Sequence, residues 1–526
     1  MKKISIELLK GEHWWGGASN FGTEMPFPAG AKHDLHNTNF GNQAAPILVS
    51  SQGRYVWSEE PFSFEFRNRS IVVNGSGEVV VKRPGEDLRA AFRGASREFF
   101  PQRGKMPDPL LFTAPQYNTW IELMYDQNEA DILRYAKNLL REGYKPGVLM
   151  IDEGWADYYG KWDFHPVRFP RPKEFVRKLH NLGFKIMLWV VPFVVPDSGV
   201  FRSLRSTNVL VKDEQGKPVV REWWNGFSAV VDVTGGEGRK WFSDQLDRLA
   251  AEYAIDGFKF DAGDTGTYRS TDKLSKATTP NGHTEAFAKI GLKYPLNEFR
   301  ACWKCGGEPL VQRLRDKHHA WDQSGLSSLI PNILAQGLLG HPFTCPDMVG
   351  GGEYTSFLNL GDKGSNKIDQ ELFVRSAQAS ALMPMIQFSA APWRVLDKRH
   401  AGLCLAAAKL RDRFVRAILR LAKHAAKTGE PIVRHPAYEF PSQGYEAISD
   451  QFFLGPDILV APVLKKGAAT RKVAIPPGKW RADDRTLHRG PAIVAIDTPL
   501  ERLPFFLKCS RTSPGARKPL AVGACN

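Results

Sequence analysis

Two stretches of this chain pair a carboxylate with a neighbour able to tune it. In Asp256-Gly257-Phe258-Lys259-Phe260-Asp261-Ala262-Gly263-Asp264, Lys259 and Asp261 alternate with Phe258 and Phe260. On a strand that alternation points the lysine and the aspartate to one side. An ammonium so placed favours the ionised carboxylate by Coulomb attraction and charge-assisted hydrogen bonding. That suits a carboxylate that must attack as a nucleophile near neutral pH; a structural ion pair has the same spacing. The second stretch is His318-His319-Ala320-Trp321-Asp322-Gln323. Trp321 beside Asp322 could supply a wall of low polarity that keeps the carboxyl protonated and able to donate. Asp322 also shortly precedes an apolar helix, and composition alone leans to an N-cap there. A nucleophilic carboxylate with a second, proton-donating carboxyl is the pair that glycosidic hydrolysis uses.

The elements that must hold these groups follow from the hydrophobic pattern. Over residues 1–105 short apolar runs (Ala45–Ser50, Tyr55–Trp57, Phe62–Phe66, Ile71–Val73) sit between Gly, Asn and Ser turns, which reads as an N-terminal β-sandwich. Met106–Thr113 resembles a linker. The pattern then alternates: a β-like run Thr119–Met124, an amphipathic helix Glu129–Arg141, strand Gly147–Ile151, helix Pro172–Leu182 closed by Gly183, strand Lys185–Val191, strand Ala229–Val233, helix Gly238–Tyr253 and strand Phe258–Phe260. Helices are predicted near Ser327–Leu339, Lys367–Ala381 and Ala401–Thr428. This rhythm predicts an α/β fold, a (β/α)8 TIM barrel over 106–430, with a doubly wound open sheet as the alternative. The missing Gly-rich nucleotide loop after the first strand weighs against the latter. Asp152 and Asp261 both fall just past a strand's C-terminus, where a barrel places its site. Residues 431–508 return to short strands and read as a C-terminal β-sandwich. Residues 509–526 lack periodicity and read as a flexible tail.

Longer phrases carry a resemblance. DGFKFDAGD, HAWD followed by GLSSLIPNILAQGLLGHPFTCPDMVGG, and FHPVRFPRPKEFVRKLHNLGFKIMLWVVPF together resemble glycoside hydrolase family 31, from about Trp14 to about Leu507. KFDAG, in place of the tryptophan-containing nucleophile motif of typical α-glucosidases, is similar to the myogenesis-regulating glycosidase subclass. The resemblance implies a retaining α-glycosidase with a barrel between β-sandwiches, Asp261 as nucleophile and Asp322 as general acid/base. It also implies a sugar subsite drawn from Asp152, Glu153, Lys259, Trp224 and Trp120. Lys304 falls where relatives carry a basic residue, commonly arginine, near the acid/base. Asp347, in Pro346-Asp347-Met348-Val349-Gly350-Gly351, is a family landmark near the site. The insert-like stretch Thr265–Pro295 is a candidate loop over the pocket. Core packing is the competing account of each tryptophan, and a structural cap that of Asp152. Glu153 stands where the subclass often has a second aspartate, and its extra methylene shifts which hydroxyl it reaches. Two departures point away from a plain α-glucosidase: Met383–Ser389 lacks the usual late-strand histidine, and Asp264 stands where many relatives have glutamate. They lean to α-galactosides. Another α-glycosidase, a transglycosylase and a silent carbohydrate-binding regulator remain as alternatives.

Composition bounds the rest. The net charge is +15, yet no dense basic block or RNA-binding signature accompanies it, so nucleic acid is not an expected partner. The basic residues of Arg411–Arg420 read as a solvated helix face. Cys302, Cys305, Cys345, Cys404, Cys509 and Cys525 are too few for a disulfide framework, and the lone Cys302-Trp303-Lys304-Cys305 lacks two further ligands for a metal. Ordinary thiols, or one local disulfide, are expected. No metal or organic cofactor is expected, because two carboxyls supply the covalent and acid/base steps. The expected partner is an α-linked oligosaccharide or glycoconjugate. No apolar run approaches the ~20 residues of a membrane span, and the N-terminus has a basic start without an apolar core of a signal peptide. The compartment is left open, the resemblance implying a secretory lumen or the extracellular space; the sequence does not set the oligomeric state.

Overall fold

The computed structural model describes residues 2–36, 42–358 and 368–509. Two antiparallel sheets form the N-terminal part. One orders Lys2–Glu7, Ser70–Gly75, Phe62–Phe66 and Lys32–Asp34. In Phe62–Phe66 every second residue is a buried phenylalanine, as a half-buried strand requires. The other sheet is built around Gln43–Ser50, which pairs with Trp14–Ala18 and Tyr55–Ser58 and, in parallel, with Cys302–Trp303 from the barrel chain. Within this expected all-β region the described residues also form a short 3-10 turn, Ser19–Glu24, and an α-helix, Leu88–Phe99. Its signal is a different period: Leu88, Ala91, Phe92 and Ala95 line one face, and the Asp87 side chain caps its start by accepting from the Ala90 N–H at 2.7 Å.

Eight parallel strands form the barrel, labelled here β1 (Gln116–Asn118), β2 (Val148–Ile151), β3 (Lys185–Val190), β4 (Gly257–Phe260), β5 (Leu296–Phe299), β6 (Gln312–Arg313), β7 (Thr344–Cys345) and β8 (Gln387–Phe388). The ladder runs β7-β6-β5-β4-β3-β2-β1-β8. The ring is drawn together past β7, where the Val349 N–H donates to the Gln387 carbonyl at 2.8 Å. Register pairs Trp189 with Lys259 and Lys259 with Glu298, so these three side chains occupy one level across neighbouring strands. One step on, Phe260 pairs with Phe299; their rings stack at 4.5 Å and 3°, fully buried in the wall. The strand ends therefore present Asp261 and Arg300 side by side.

Several predicted elements differ. The run Thr119–Met124 is not a strand: β1 stops at Asn118, whose side chain accepts from the Trp120 N–H, and Trp120–Leu123 forms a helical turn. Trp120 therefore opens that turn at the mouth instead of ending the strand. The run Ala229–Val233 is not a barrel strand. Gly226–Val230 pairs antiparallel with Val220–Trp223 and Phe193–Val194 in a separate three-stranded sheet, whose hairpin tip carries Trp224 and Asn225. A short apolar run has no period that separates the two settings. The insert 265–295 contributes the helix Pro280–Ala288, which packs Phe287 against Phe242, Phe260 and Phe299 as part of the wall. Its first turn meets the hairpin, where Arg221 donates to the Thr267 carbonyl at 3.3 Å.

The long helix Lys398–Thr428 ends at Gly429 in the left-handed conformation (φ 72°). Its Arg411 is buried, not solvated: the guanidinium donates to the carbonyls of Phe112, Ala381, Met383 and Pro384 and so fastens the helix to the barrel. The C-terminal part is one six-stranded sheet ordered Val433–Arg434, Phe452–Leu454, Ile458–Val460, Phe505–Lys508, Thr470–Ala482, Leu487–Asp497. It closes its own cluster of Phe453, Leu459, Val473, Ile475, Trp480 and Phe506. Of the tail expected over 509–526, all but Cys509 lies outside the described residues.

The strand Cys302–Trp303 ties the N-terminal sheet to the segment that follows β5. Trp303 is buried in the N-terminal core. Trp303→Ala should destabilise the fold by about 3–5 kcal/mol and lower the first calorimetric unfolding transition. An unchanged transition would show that this strand does not bind the two parts together.

Candidate active site

Asp261 leaves β4 with its N–H on the Val190 carbonyl at 2.9 Å. Its Oδ2 accepts from the Trp189 indole at 2.7 Å and lies 3.8 Å from Lys259 Nζ; its Oδ1 accepts from the Ala262 N–H at 2.9 Å and lies 3.8 Å from Arg300 Nε. Burial by itself would raise this carboxyl's pKa. The ammonium of Lys259 and the guanidinia of Arg300 and Arg313, with the Trp189 bond, outweigh that and hold it below the usual carboxylate range. Lys259 also donates to Asp152 Oδ2 at 2.7 Å. Burial lowers its pKa, but the two carboxylates more than restore it, and it stays charged. Ala262 turns the chain away at a positive φ of 52°.

Arg300 is the second centre of charge. Besides Asp261, its Nε lies 3.3 Å from Asp264 Oδ2 and its Nη1 3.7 Å from Asp316 Oδ2, and its guanidinium lies 4.9 Å over the Trp224 ring. Burial disfavours the cation, yet Asp264, Asp261 and Asp316 together raise its pKa. Asp316 follows β6, whose Arg313 donates to Asp316 Oδ1 at 2.6 Å and to Asp347 Oδ1 at 3.0 Å. On its other side Arg313 Nε faces Glu298 Oε1 at 3.3 Å. The strand ends thus gather Asp261, Asp264 and Asp316 around one guanidinium.

The opposite wall is built on Asp152 and Glu153. Asp152 takes its N–H to Thr119 Oγ1 at 2.9 Å, and its Oδ1 accepts the Glu153 N–H at 2.9 Å. Glu153 receives the Tyr159 hydroxyl at 2.7 Å, the Trp224 indole at 3.3 Å and the Asn225 amide. Burial pushes its carboxyl up to about 7; the Tyr159 and Trp224 bonds oppose this, and the charges of Asp261 and Asp152 add to it. Trp224, 45% exposed at the hairpin tip, joins this wall to Arg300. Trp120, Tyr125 and Tyr354 form an edge-to-face cluster at the rim, with Trp120 centred 5.2 and 5.7 Å from the two tyrosines.

Of the residues singled out in the sequence, Asp261, Lys259, Asp152, Glu153 and Trp224 converge, with Trp120 at the rim and Asp347 beneath Asp316. Two stand elsewhere. Asp322 lies on an exposed turn, where its Oδ1 accepts from the Ser324 N–H (2.8 Å) and hydroxyl (2.6 Å). The Ser324 hydroxyl and then its N–H lower the pKa of Asp322, the reverse of the raised value expected from a Trp321 wall; that indole instead donates to Asp369 at 3.0 Å. Lys304 is drawn to the N-terminal sheet by the strand before it, and its Nζ meets Glu59 at 3.0 Å and Glu285 at 3.5 Å. The basic group beside Asp261 is Arg300. Sequence reasoning missed Arg300, Asp316, Arg313 and Trp189. Recognising Leu296–Phe299 as a strand would have found Arg300, one residue past its end as Asp261 is past β4. Among the described residues no group of His, Cys, Asp and Glu side chains is arranged to hold a metal ion, and no helix is long and apolar enough to cross a membrane. Cys302 and Cys305 are free thiols, both buried.

A barrel with carboxylates gathered at its strand ends has counterparts among known proteins. Residues 111–305 match the TIM-barrel domain of glycosyl hydrolases family 31, and residues 429–511 match the C-terminal domain of that family; together they span more than half of the chain. The chain belongs to glycoside hydrolase family 31. Over 425 residues it is 31% identical to the myogenesis-regulating glycosidase of Mus musculus, covering 79% of this chain and 59% of that protein. It is 26% identical over 273 residues to the SITS-binding protein of Tetronarce californica, covering 51% of this chain and 38% of that one. The fold superposes on a family 31 dextranase of Flavobacterium johnsoniae complexed with glucose with a TM-score of 0.85 at 20% identity, covering 96% of this chain and 66% of that structure. The chain spans less than two thirds of the length of each of these.

Glu153 generates a pH test. Its folded pKa, about 7, lies above the ordinary 4.5, so the group's contribution to stability is full below pH 4.5 and is lost as pH rises through 7. The loss is on the order of 3 kcal/mol. Glu153→Gln, which cannot ionise, should therefore gain in melting temperature relative to the native chain between about pH 5 and pH 8. A constant difference across that range would mean that Glu153 ionises as an exposed glutamate does.

Proposed function

We propose that this chain is a retaining α-glycosidase acting on terminal α-linked hexoses, with Asp261 as nucleophile and Asp322 as general acid and base. The observation that carries the first role is the pair of cations at Asp261, Lys259 and Arg300, each 3.8 Å from its carboxylate; the second role is supported by the family's HAWD phrase and by a carboxylate open to solvent, whereas Asp316 is bound by Arg313 and faces Arg300. Asp261 attacks the anomeric carbon as Asp322 gives its proton to the departing oxygen. Asp322 then takes a proton from water, which displaces Asp261 and releases the sugar with its α configuration kept. Lys259, Trp189 and Arg300 keep Asp261 anionic before attack. The substrate is an α-linked oligosaccharide or glycoconjugate.

Within that class we infer a preference for α-galactosides over α-glucosides. The supporting features are the KFDAG motif and the corner of Asp152, Glu153 and Lys259, with Trp224 closing over Glu153. A wrongly directed 4-hydroxyl would leave buried polar groups unpaired, at about 1–3 kcal/mol each. One or two such groups give about tenfold to several-hundredfold discrimination in kcat/KM between matched nitrophenyl α-galactoside and α-glucoside. A ratio at or below unity would remove the galactoside preference and leave the retaining mechanism standing.

Three variants test the roles. Asp261→Asn should abolish turnover of every substrate. Asp322→Asn should still be glycosylated by substrates with activated leaving groups, and azide should accelerate its turnover, since azide needs no general base. Asp316→Asn, which removes a partner of Arg313, should show no azide rescue. Azide rescue of Asp316→Asn, with none for Asp322→Asn, would move the acid/base role to Asp316. Product analysis at high acceptor sugar separates hydrolysis from transglycosylation.

A further inference from the structure

The helix Lys398–Thr428 carries charges that neither its packing nor the pocket uses. One face, with Cys404, Phe414, Ile418 and Ala425, is buried in the core, and Phe414 packs edge-on against Phe505 of the C-terminal sheet. On the opposite face Lys409, Arg413, Arg416, Arg420, Lys423 and Lys427 are all exposed. At 3.6 residues per turn the six fall within a sector about 80° wide, in a row about 27 Å long. None of them makes an ion pair among the described residues. The helix has a single acidic residue, Asp412, which stands at the flank of the row and is engaged by Lys145 at 2.8 Å.

Folding alone does not call for this pattern. Like charges three or four residues apart on a helix repel one another, and a face that is merely solvated interleaves acids with bases. The dipole of the helix favours the cations of its last turn only. From Lys409 to Arg420 the repulsion is uncompensated within the chain.

We propose that this row is a docking strip for a polyanionic glycan, a polysaccharide chain bearing sulfate or carboxylate groups. The inference goes beyond the proposed hydrolysis and does not depend on which carboxylates carry it out. A row one side chain wide, with a cation every 4.5–6 Å or so along the axis, complements an extended chain that presents anions at regular intervals. A bilayer is a plane and is held by apolar side chains as well as by charge, and none of the exposed large apolar residues lies on this helix. Nucleic acid fits less well: a helix laid against the barrel cannot enter a groove, and no aromatic side chain stands on the exposed face to stack a base. The helix follows β8 and runs back from the mouth as barrel helices do, with the row beginning about 16 Å from its start. A chain held there leaves the pocket open.

The test is titration calorimetry of the full chain with a heparin dodecasaccharide. Binding is expected at about 0.15 M salt, and affinity should fall about tenfold at about 0.3 M as counterions compete. Arg413→Glu with Arg420→Glu turns most of the like-charged neighbours into opposite pairs. Affinity should then fall by about a hundredfold or more, the melting temperature should hold or rise, and kcat/KM on a nitrophenyl glycoside should not change. Arg413→Gln with Arg420→Gln should lose about tenfold, and stands in if the reversed charges disturb folding. Lys217→Glu with Lys465→Glu makes the same change in net charge elsewhere on the exposed surface and should lose less than about threefold. No binding at about 0.15 M salt, or equal losses from the two charge-reversed pairs, would overturn the proposal in favour of diffuse attraction to a basic protein. Binding of a DNA duplex or of phosphatidylserine vesicles as tight as that of heparin would overturn the choice of a glycan. A lowered melting temperature with heparin binding retained would make the row structural.

Discussion

Asp261, Asp264 and Asp316 could not be gathered at one barrel mouth without the guanidinium of Arg300 among them. Its nitrogens lie 3.3 to 3.8 Å from the three carboxylates, and all four side chains are largely withdrawn from water. An unpaired carboxylate there would take up a proton or open the site. With Arg300 in place, Asp261 is held anionic while Asp316 lies on the far side of the same cation. The planar fork of arginine meets several oxygens at once, which the point charge of a lysine does not.

Arg300 is held by the wall beneath it. It leaves β5 at the level where Asp261 leaves β4, because Phe260 and Phe299 are register partners whose rings stack inside the barrel wall. One level down, Trp189, Lys259 and Glu298 carry the charges and indole that compensate Asp261, Asp152 and Arg313. Beyond Arg300 the chain does not stay in the barrel. It crosses to the N-terminal sheet as Cys302–Trp303 before returning as β6. That excursion anchors both ends of the segment linking Arg300 to Arg313 and Asp316, so the N-terminal domain belongs to the framework of the site.

Much of this was legible in the sequence. The alternation in Phe258–Asp261 gave both the strand and the side to which Lys259 and Asp261 point, and the β-α rhythm gave the barrel. What was lost was lost for physical reasons. Strands β6, β7 and β8 are two residues long, too short for any period to register. β5, Leu296-Asn297-Glu298-Phe299, carries a glutamate and an asparagine that read as loop, because in a barrel interior such groups are satisfied by other strands. Without that strand Arg300 had no address, and Asp316, in the basic run Arg313–Lys317, resembled an ordinary surface charge. The wall of low polarity expected of Trp321 is absent, because a neighbour in sequence need not be a neighbour in space: Trp321 turns to Asp369 and leaves the Asp322 carboxylate in water.

Family membership and the geometry of the barrel mouth meet at Asp261, the proposed nucleophile. The measurement that tests this most directly is trapping of the covalent intermediate. The chain is incubated with a 5-fluoro-α-glycosyl fluoride of the preferred sugar, digested, and mapped by mass spectrometry, with the anomer first released from an unmodified substrate followed by proton NMR. The account predicts one glycosyl group per chain on the peptide that carries Asp261, and α-sugar as the first product. Label on another carboxylate, or β-sugar released first with no label, would contradict it.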